Sequence, residues 1–334
     1  MDKLYFSVPA ATVLTLLAAA MWGSWMQVVK HRKDYPITGI IFLLYTFSLV
    51  LVWGVTFLLT PVLLPEGIIH ATSATPSVVA EILLGGAMMS MGLYISLQVM
   101  GKVGLLLFTA ISGAVGSILG IFTSLVKEGL PDSPYALLLV LGCTVIFIAA
   151  AFTCNYAAVL RDRDRAGGAA QTGGKGPITV KIVLLTLLSA FLTNGWSIGT
   201  ASGTASGFPP VLTCAYMATG SFLSVFLVCS LEFTRKRQWK QVLCIGYSKR
   251  PLLLGAVSAF CHYGGNLISI YAMPALSATL SFLFGRTSNV WTYLWGLFYR
   301  EFSGSKRRTL AILFLGILLY IAGTLLLAVF NYNG

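Results

Sequence analysis

Long apolar runs follow one another along almost the whole chain, separated by short loops that hold most of its charge. Crossing a hydrocarbon core of ~30 Å takes about 20 apolar residues, and with no water there to satisfy backbone groups such a segment has to be a helix. Ten segments qualify, at 7–29, 37–60, 78–100, 104–126, 134–159, 180–201, 210–232, 251–273, 275–299 and 309–330. The pattern predicts an all-α integral membrane protein of ten transmembrane helices, forming a single membrane domain over 1–334. Lys3 ahead of an apolar stretch with Ala18, Ala19 and Ala20 gives the first run a likeness to a secretory signal. It continues through Trp22, Gly23, Ser24 and Trp25, however, and is too long for that, so a retained helix is expected.

The pattern also repeats within itself. LTLLAAAMWGSW, from Leu14 to Trp25 in the first span, returns 171 residues later as LTLLSAFLTNGW, from Leu185 to Trp196 in the sixth. At the nearby offset of 173, Glu128 after the fourth span corresponds to Glu301 after the ninth, each behind a basic residue, Lys127 or Arg300. Five spans per half is an odd number, so the second half enters the membrane from the opposite side. The expected organisation is a 5+5 inverted-topology repeat, with a first half at 1–160, a linker at 161–179 and a second half at 180–334. Repeats of this kind let one half rock against the other around a central site.

Composition agrees with the hydropathy pattern: 57% of residues are hydrophobic and 10% charged, with mean hydropathy +0.85, whereas soluble domains carry roughly 25% charged residues. The net charge of +12 is a topology signal and not a nucleic-acid footprint, because the basic residues are scattered over short loops. Of the 22 Lys and Arg, 19 fall in the loops after the odd-numbered spans; Lys3 and Lys127 lie opposite, and Arg286 lies within a span. Cytoplasmic loops collect such residues, which predicts a multi-pass protein of the plasma (bacterial inner) membrane with both termini outward. The six cysteines form neither a CxxC pair nor a zinc pattern. The GGAAQTGGKGP linker fails as a phosphate loop, since Ala169 replaces the first glycine and Gly176 the hydroxyl residue. No metal, cofactor or nucleic-acid partner is expected. Without HExxH, GxSxG or paired intramembrane carboxylates, an enzyme is not expected either.

The candidate chemistry lies at mid-membrane. Arg286 falls in the middle of the ninth span and His262 in the middle of the eighth, and no Asp or Glu is comparably deep. Charge in lipid generally faces a cavity, a partner or a pathway. Arg286 is therefore a candidate substrate anchor and His262 a hydrogen-bonding or titrating partner; the alternative has Arg286 tying carbonyls together and His262 merely packed. Helical spacing adds Asn266 and Ser269 to the face of His262, and Asn289 and Tyr293 to that of Arg286. Trp25, Asn194 and Trp196 are placed at the repeated motif, with Trp22 as a further apolar wall, and Tyr94 and Gln98 lie inward of a glycine-rich stretch. Gly85, Gly86, Gly92, Gly113, Gly116 and Gly120 are expected to allow close helix contact. Glu81, one turn into the third span, is a candidate gate or proton acceptor alongside His262.

Ten spans in two inverted halves, the KE and RE endings of the fourth and ninth spans, MWGSW at 21–25 and GGAMMSMG at 85–92 resemble the drug/metabolite transporter superfamily. Within it, the pattern is most similar to the branch of the L-rhamnose proton symporter, the glucose/ribose porter and the ureide permeases. The resemblance covers nearly the whole chain. It implies a secondary transporter moving a sugar, ureide or related small polar solute by alternating access, with proton-coupled uptake, as a monomer or homodimer in lipid. Arg286 within FGRTSN departs from that pattern and keeps open an organic-anion or nucleobase carrier working as exchanger or uniporter. A channel or receptor is the alternative of a different class.

Overall fold

The computed structural model describes residues 6–103, 105–131, 133–165 and 180–333, the side chains of 100–114 and 330–333 excepted. Most of the predicted linker, from 166 on, lies outside the described residues, as does the packing of Gly113. Among the described residues the chain is helical throughout, without strands. In order, the elements are α1 (Val8–Ser24), a 3₁₀ segment (Trp25–His31), α2 (Ile37–Leu63), α3 (Gly67–Ala74), α4 (Pro76–Val103), α5 (Leu105–Glu128) and α6 (Pro134–Arg165). The second part comprises α7 (Val180–Thr193), α8 (Gly195–Ala205), α9 (Pro210–Lys236), the short α10 (Trp239–Val242), α11 (Arg250–Ala259), a π segment (Phe260–Gly264) and α12 (Gly265–Leu276). It closes with α13 (Ala278–Gly285), α14 (Ser288–Phe298) and α15 (Arg307–Asn333).

Eight helical stretches among the described residues are long and apolar enough to cross a membrane, against the ten predicted. The predicted span at 104–126 corresponds to α5, a helix of 24 residues whose first ten are described only as backbone. The predicted continuous span at 275–299 is divided: α13 ends at Gly285 and α14 begins at Ser288, so neither piece is long enough alone. The division lies at Arg286 and Thr287, where the amides bond back to Leu283 and Phe284, three residues earlier instead of four. That tighter winding advances each residue by about 120° in place of 100°, which rotates the following face away from the one before it.

Glycines set how closely the central helices approach. A Cβ on Gly86 would overlap the Met217 carbonyl of α9, and one on Gly220 the Leu83 carbonyl of α4. Gly85 of α4 and Gly195 of α8 face each other's carbonyl oxygens in the same way. Small residues permit such backbone contact where lipid offers no hydrophobic driving force for association. Along this seam the polar groups pair internally: Ser221 Oγ donates to the Gly86 carbonyl (2.8 Å) and lies 2.7 Å from Tyr263 Oη, while Ser90 and Ser224 bond at 2.7 Å. A second apolar cluster joins α6 to α15 through Phe147, Cys154, Leu313 and Tyr320 and reaches Leu283 and Phe284 of α13.

Charged side chains pair at the two ends of the bundle. At the end bearing the basic loops, Glu301 pairs with Lys30 and, at 3.5 Å, with Arg161. At the opposite end Glu81 of α4 pairs with Lys127 of α5 (2.6 Å) and accepts from Ser202 of α8 (2.5 Å). Glu128 accepts from the Ala278 and Thr279 amides (2.6 and 3.2 Å), and Ser277 Oγ from Leu280 N, so the free amides at the start of α13 are capped.

Candidate functional site

Four helical stretches depart from α geometry, and they do so around one space. The first turns 3₁₀ at Trp25, the Val180–Ala205 stretch breaks at Asn194, the Arg250–Leu276 stretch carries its π segment at Phe260–Gly264, and α13 breaks from α14 at Arg286. Interruptions of this kind cluster at functional sites because they free backbone groups and re-aim side chains. The space between them is a cavity of about 340 Å³, within the range of small-molecule sites.

Trp22 and Trp25 form one wall of this cavity, and Asn194, Trp196 and Ser197 another. His262 and Asn266 reach it from the π segment and α12; Arg286 and Asn289 come from the break and α14. Trp22 is seated against Gly265 and Gly285, where an added Cβ would lie 2.9 Å from its ring. Its indole N–H donates to Asn266 Oδ1 (2.8 Å) and to the His262 carbonyl (3.2 Å). Edge-to-face packing holds the remaining aromatic rings, with Trp22 against Trp196 at 5.5 Å and Trp25 against His262 at 5.0 Å between centroids. Arg286 lies over the Phe282 ring, 4.3 Å from its centroid, as a cation–π pair. Phe282 in turn fits against Gly120 of α5, where a side chain would overlap its ring.

Several of the polar atoms around this space lack partners. Asn194 Oδ1, Ser197 Oγ, His262 Nδ1, Asn266 Nδ2 and Arg286 Nε are buried with no hydrogen-bond partner. Among the described residues, every buried side-chain nitrogen without a partner lies here. An unpaired buried polar group costs roughly 1–3 kcal/mol and demands an explanation. A space that receives a polar ligand supplies one.

Eight of the candidate site residues read from the sequence line the cavity together: Trp22, Trp25, Asn194, Trp196, His262, Asn266, Arg286 and Asn289. The others lie elsewhere. Tyr293 donates to Asn155 Oδ1 of α6 (2.9 Å), because the 3₁₀ turn at Arg286 rotates it off the face that unbroken helical spacing assigns it. Tyr94 donates to Glu232 Oε2 (2.8 Å), itself paired with Lys236, and Gln98 is exposed beyond it. Glu81 belongs to the ion pair at the end of the bundle and not to the cavity. Ser269, buried without a partner, does not line the cavity. Sequence reasoning missed Ser197, Thr193, Ser288 and Phe282. Phe282 was legible in principle: it precedes Arg286 by four residues, one turn of helix.

No family model matches the chain, and no curated protein is detectably similar to it. A solved structure described only as "Crystal structure of protein" superposes with a TM-score of 0.58 over 95% of this chain and 96% of its own, at 15% identity. At that identity the likeness is one of fold.

Proposed function

We propose that the protein is a secondary carrier that moves a small polar metabolite through the central cavity by alternating access. The observation that carries this reading is the cluster of unpartnered polar groups at the depth where four helical stretches are interrupted. Substrate sites of carriers are built in this way, near the midplane, from discontinuous helices.

A ten-span, inverted 5+5 organisation, as in the drug/metabolite transporter superfamily, fits the packing. The α4 helix lies against α7–α8 and α9, just as α11–α12 lies against α1 and α2. The α5 helix meets α7–α8 as α13–α14 meets α1, and α6 pairs with α15. The interruptions at Trp25 and at Asn194 also fall within two residues of each other when the repeated motifs are superposed. On this reading both termini lie on the face away from the basic loops. Among the described residues no carboxylate lines the cavity, so coupling to protons at the site would run through His262.

Purified protein in liposomes tests the proposal: a carrier gives saturable uptake and counterflow of its substrate, and Arg286→Ala abolishes both while the protein stays folded in detergent. Flux that does not saturate makes it a channel; ligand binding without flux makes it a receptor. Cysteine labelling at either terminus from one side of the membrane tests the topology.

A further inference from the structure

The charge balance of the cavity goes further than a polar solute. Among the described residues, no Asp or Glu lines the cavity. Those nearest in sequence on either side, Glu232 and Glu301, are committed to Lys236 and to Lys30 and Arg161. Arg286 makes no ion pair and no side-chain hydrogen bond with described residues; it lies over the face of Phe282, with the neutral Tyr320 phenol within electrostatic reach. A guanidinium keeps its charge in any protein environment, and a desolvated cation without a counter-ion is strongly unfavourable.

The hydrogen-bonding pattern has the same sense. An indole N–H can only donate, so the Asn266 oxygen is the atom turned to Trp22 and its amide nitrogen is left as an open donor. Asn266 and Arg286, each with an unpartnered donor, therefore line the same space. Asn194 offers an open oxygen from a different wall, its nitrogen being engaged by Thr123 Oγ1 (2.7 Å). Between them stand the flat faces and edges of Trp22, Trp25 and Trp196.

We propose, taking the cavity to be the substrate site of a carrier, that the substrate is a small organic monoanion. Its carboxylate, or a comparably delocalised acidic group, accepts from Arg286 and Asn266. A flat or apolar body lies against the tryptophans, and a hydroxyl or N–H on its far side donates to Asn194. One unpaired cation selects one negative charge; a neutral sugar would leave Arg286 uncompensated in the loaded state.

Matched acid and amide pairs test this, because they share a shape and differ in charge. Nicotinate against nicotinamide and benzoate against benzamide, with L-rhamnose and D-glucose as neutral controls, are titrated into the full chain in detergent. Binding is read by tryptophan fluorescence and by thermal shift. The expected result is that at least one acid binds roughly tenfold or more tightly than its amide, the scale of one charge-assisted contact. Arg286→Gln should abolish that preference and Arg286→Lys retain part of it. Equal binding of acid and amide, binding of sugars alone, or no binding of any acid overturns the anion assignment. Liposome counterflow of the same compounds separates the two levels: flux of a neutral solute without acid binding removes the anion and keeps the carrier, whereas absence of binding and of flux removes both.

Discussion

Helix α8 belongs to two regions with opposite habits. Through Gly195 it presses on α4, where the helices touch backbone to backbone and the serines and Tyr263 along the neighbouring α4–α9 contact pair with one another. Through Asn194, Trp196 and Ser197, close to that glycine in sequence, it borders a space where five buried polar atoms have no partner. One region is complete without a ligand and the other is not. The difference separates what holds the protein together from what it does, and it predicts opposite responses to substitution.

The largest effect belongs to the seam. Gly86→Val places a side chain on the Met217 carbonyl, and backbone cannot yield as a flexible side chain can. A cost of about 3 kcal/mol or more is expected, read as loss of a monodisperse peak in size-exclusion chromatography. Survival of a folded variant would mean that the α4–α9 contact can open to admit a side chain. The cavity should respond with the other sign. Arg286→Met removes an uncompensated charge and keeps the packing against Phe282, so the thermal midpoint should rise, by the equivalent of about 2 kcal/mol, while ligand binding is lost. A fall in the midpoint would show that Arg286 is structurally paired and would end its assignment to the site.

Trp22→Phe tests the link between the two regions. It removes the donor that orients Asn266, with the pyrrole edge that touches Gly265, and keeps an aromatic ring at the position. A loss of about 1 kcal/mol in stability is expected. Ligand binding should weaken further than stability, since the amide would be free to turn.

How much of this could be read from residue order varies with the physics involved. Long apolar runs report lipid directly, and the all-helical membrane character follows from them. Arg286 and His262 stood out because charge in an apolar run is rare, and Asn194 and Trp196 because they lie within a repeated motif. Tyr293 was misplaced for a specific reason. Helical periodicity assumes 100° per residue, and four i−3 hydrogen bonds, donated by Arg286, Thr287, Asn289 and Val290, break that assumption without any proline to announce it. The predicted continuous span over 275–299 fails at the same point. The role of Glu128 was equally hidden: its carboxylate caps a helix 150 residues away in sequence, a contact that no local pattern encodes.

Glu128→Ala sharpens the comparison at a third kind of position, neither seam nor cavity. The substitution uncaps α13, with an expected cost of about 1 kcal/mol and a matching drop in thermal midpoint. Because α13 delivers Phe282 and Gly285 to the cavity, ligand affinity should fall modestly as well. An unchanged midpoint would show that Ser277 suffices as the cap.

The smallest effect is expected at Glu81, although the sequence nominates it as a proton acceptor. Its side chain is 44% exposed and that of Lys127 36%, so the pair lies in a largely aqueous dielectric. Exposed pairs of this kind contribute about 0–1 kcal/mol and are weakened by salt. Glu81→Gln keeps an oxygen for the Ser202 hydroxyl and loses only the charge. Its midpoint should therefore move less than that of Glu128→Ala, the shift should vanish in high salt, and liposome uptake should stay within about twofold of the parent protein. Abolished uptake with an intact fold would place the coupling step at the end of the bundle. The self-sufficient seam and the unsatisfied cavity would then be joined by a third working region, one whose ion pair opens in another state of the transport cycle.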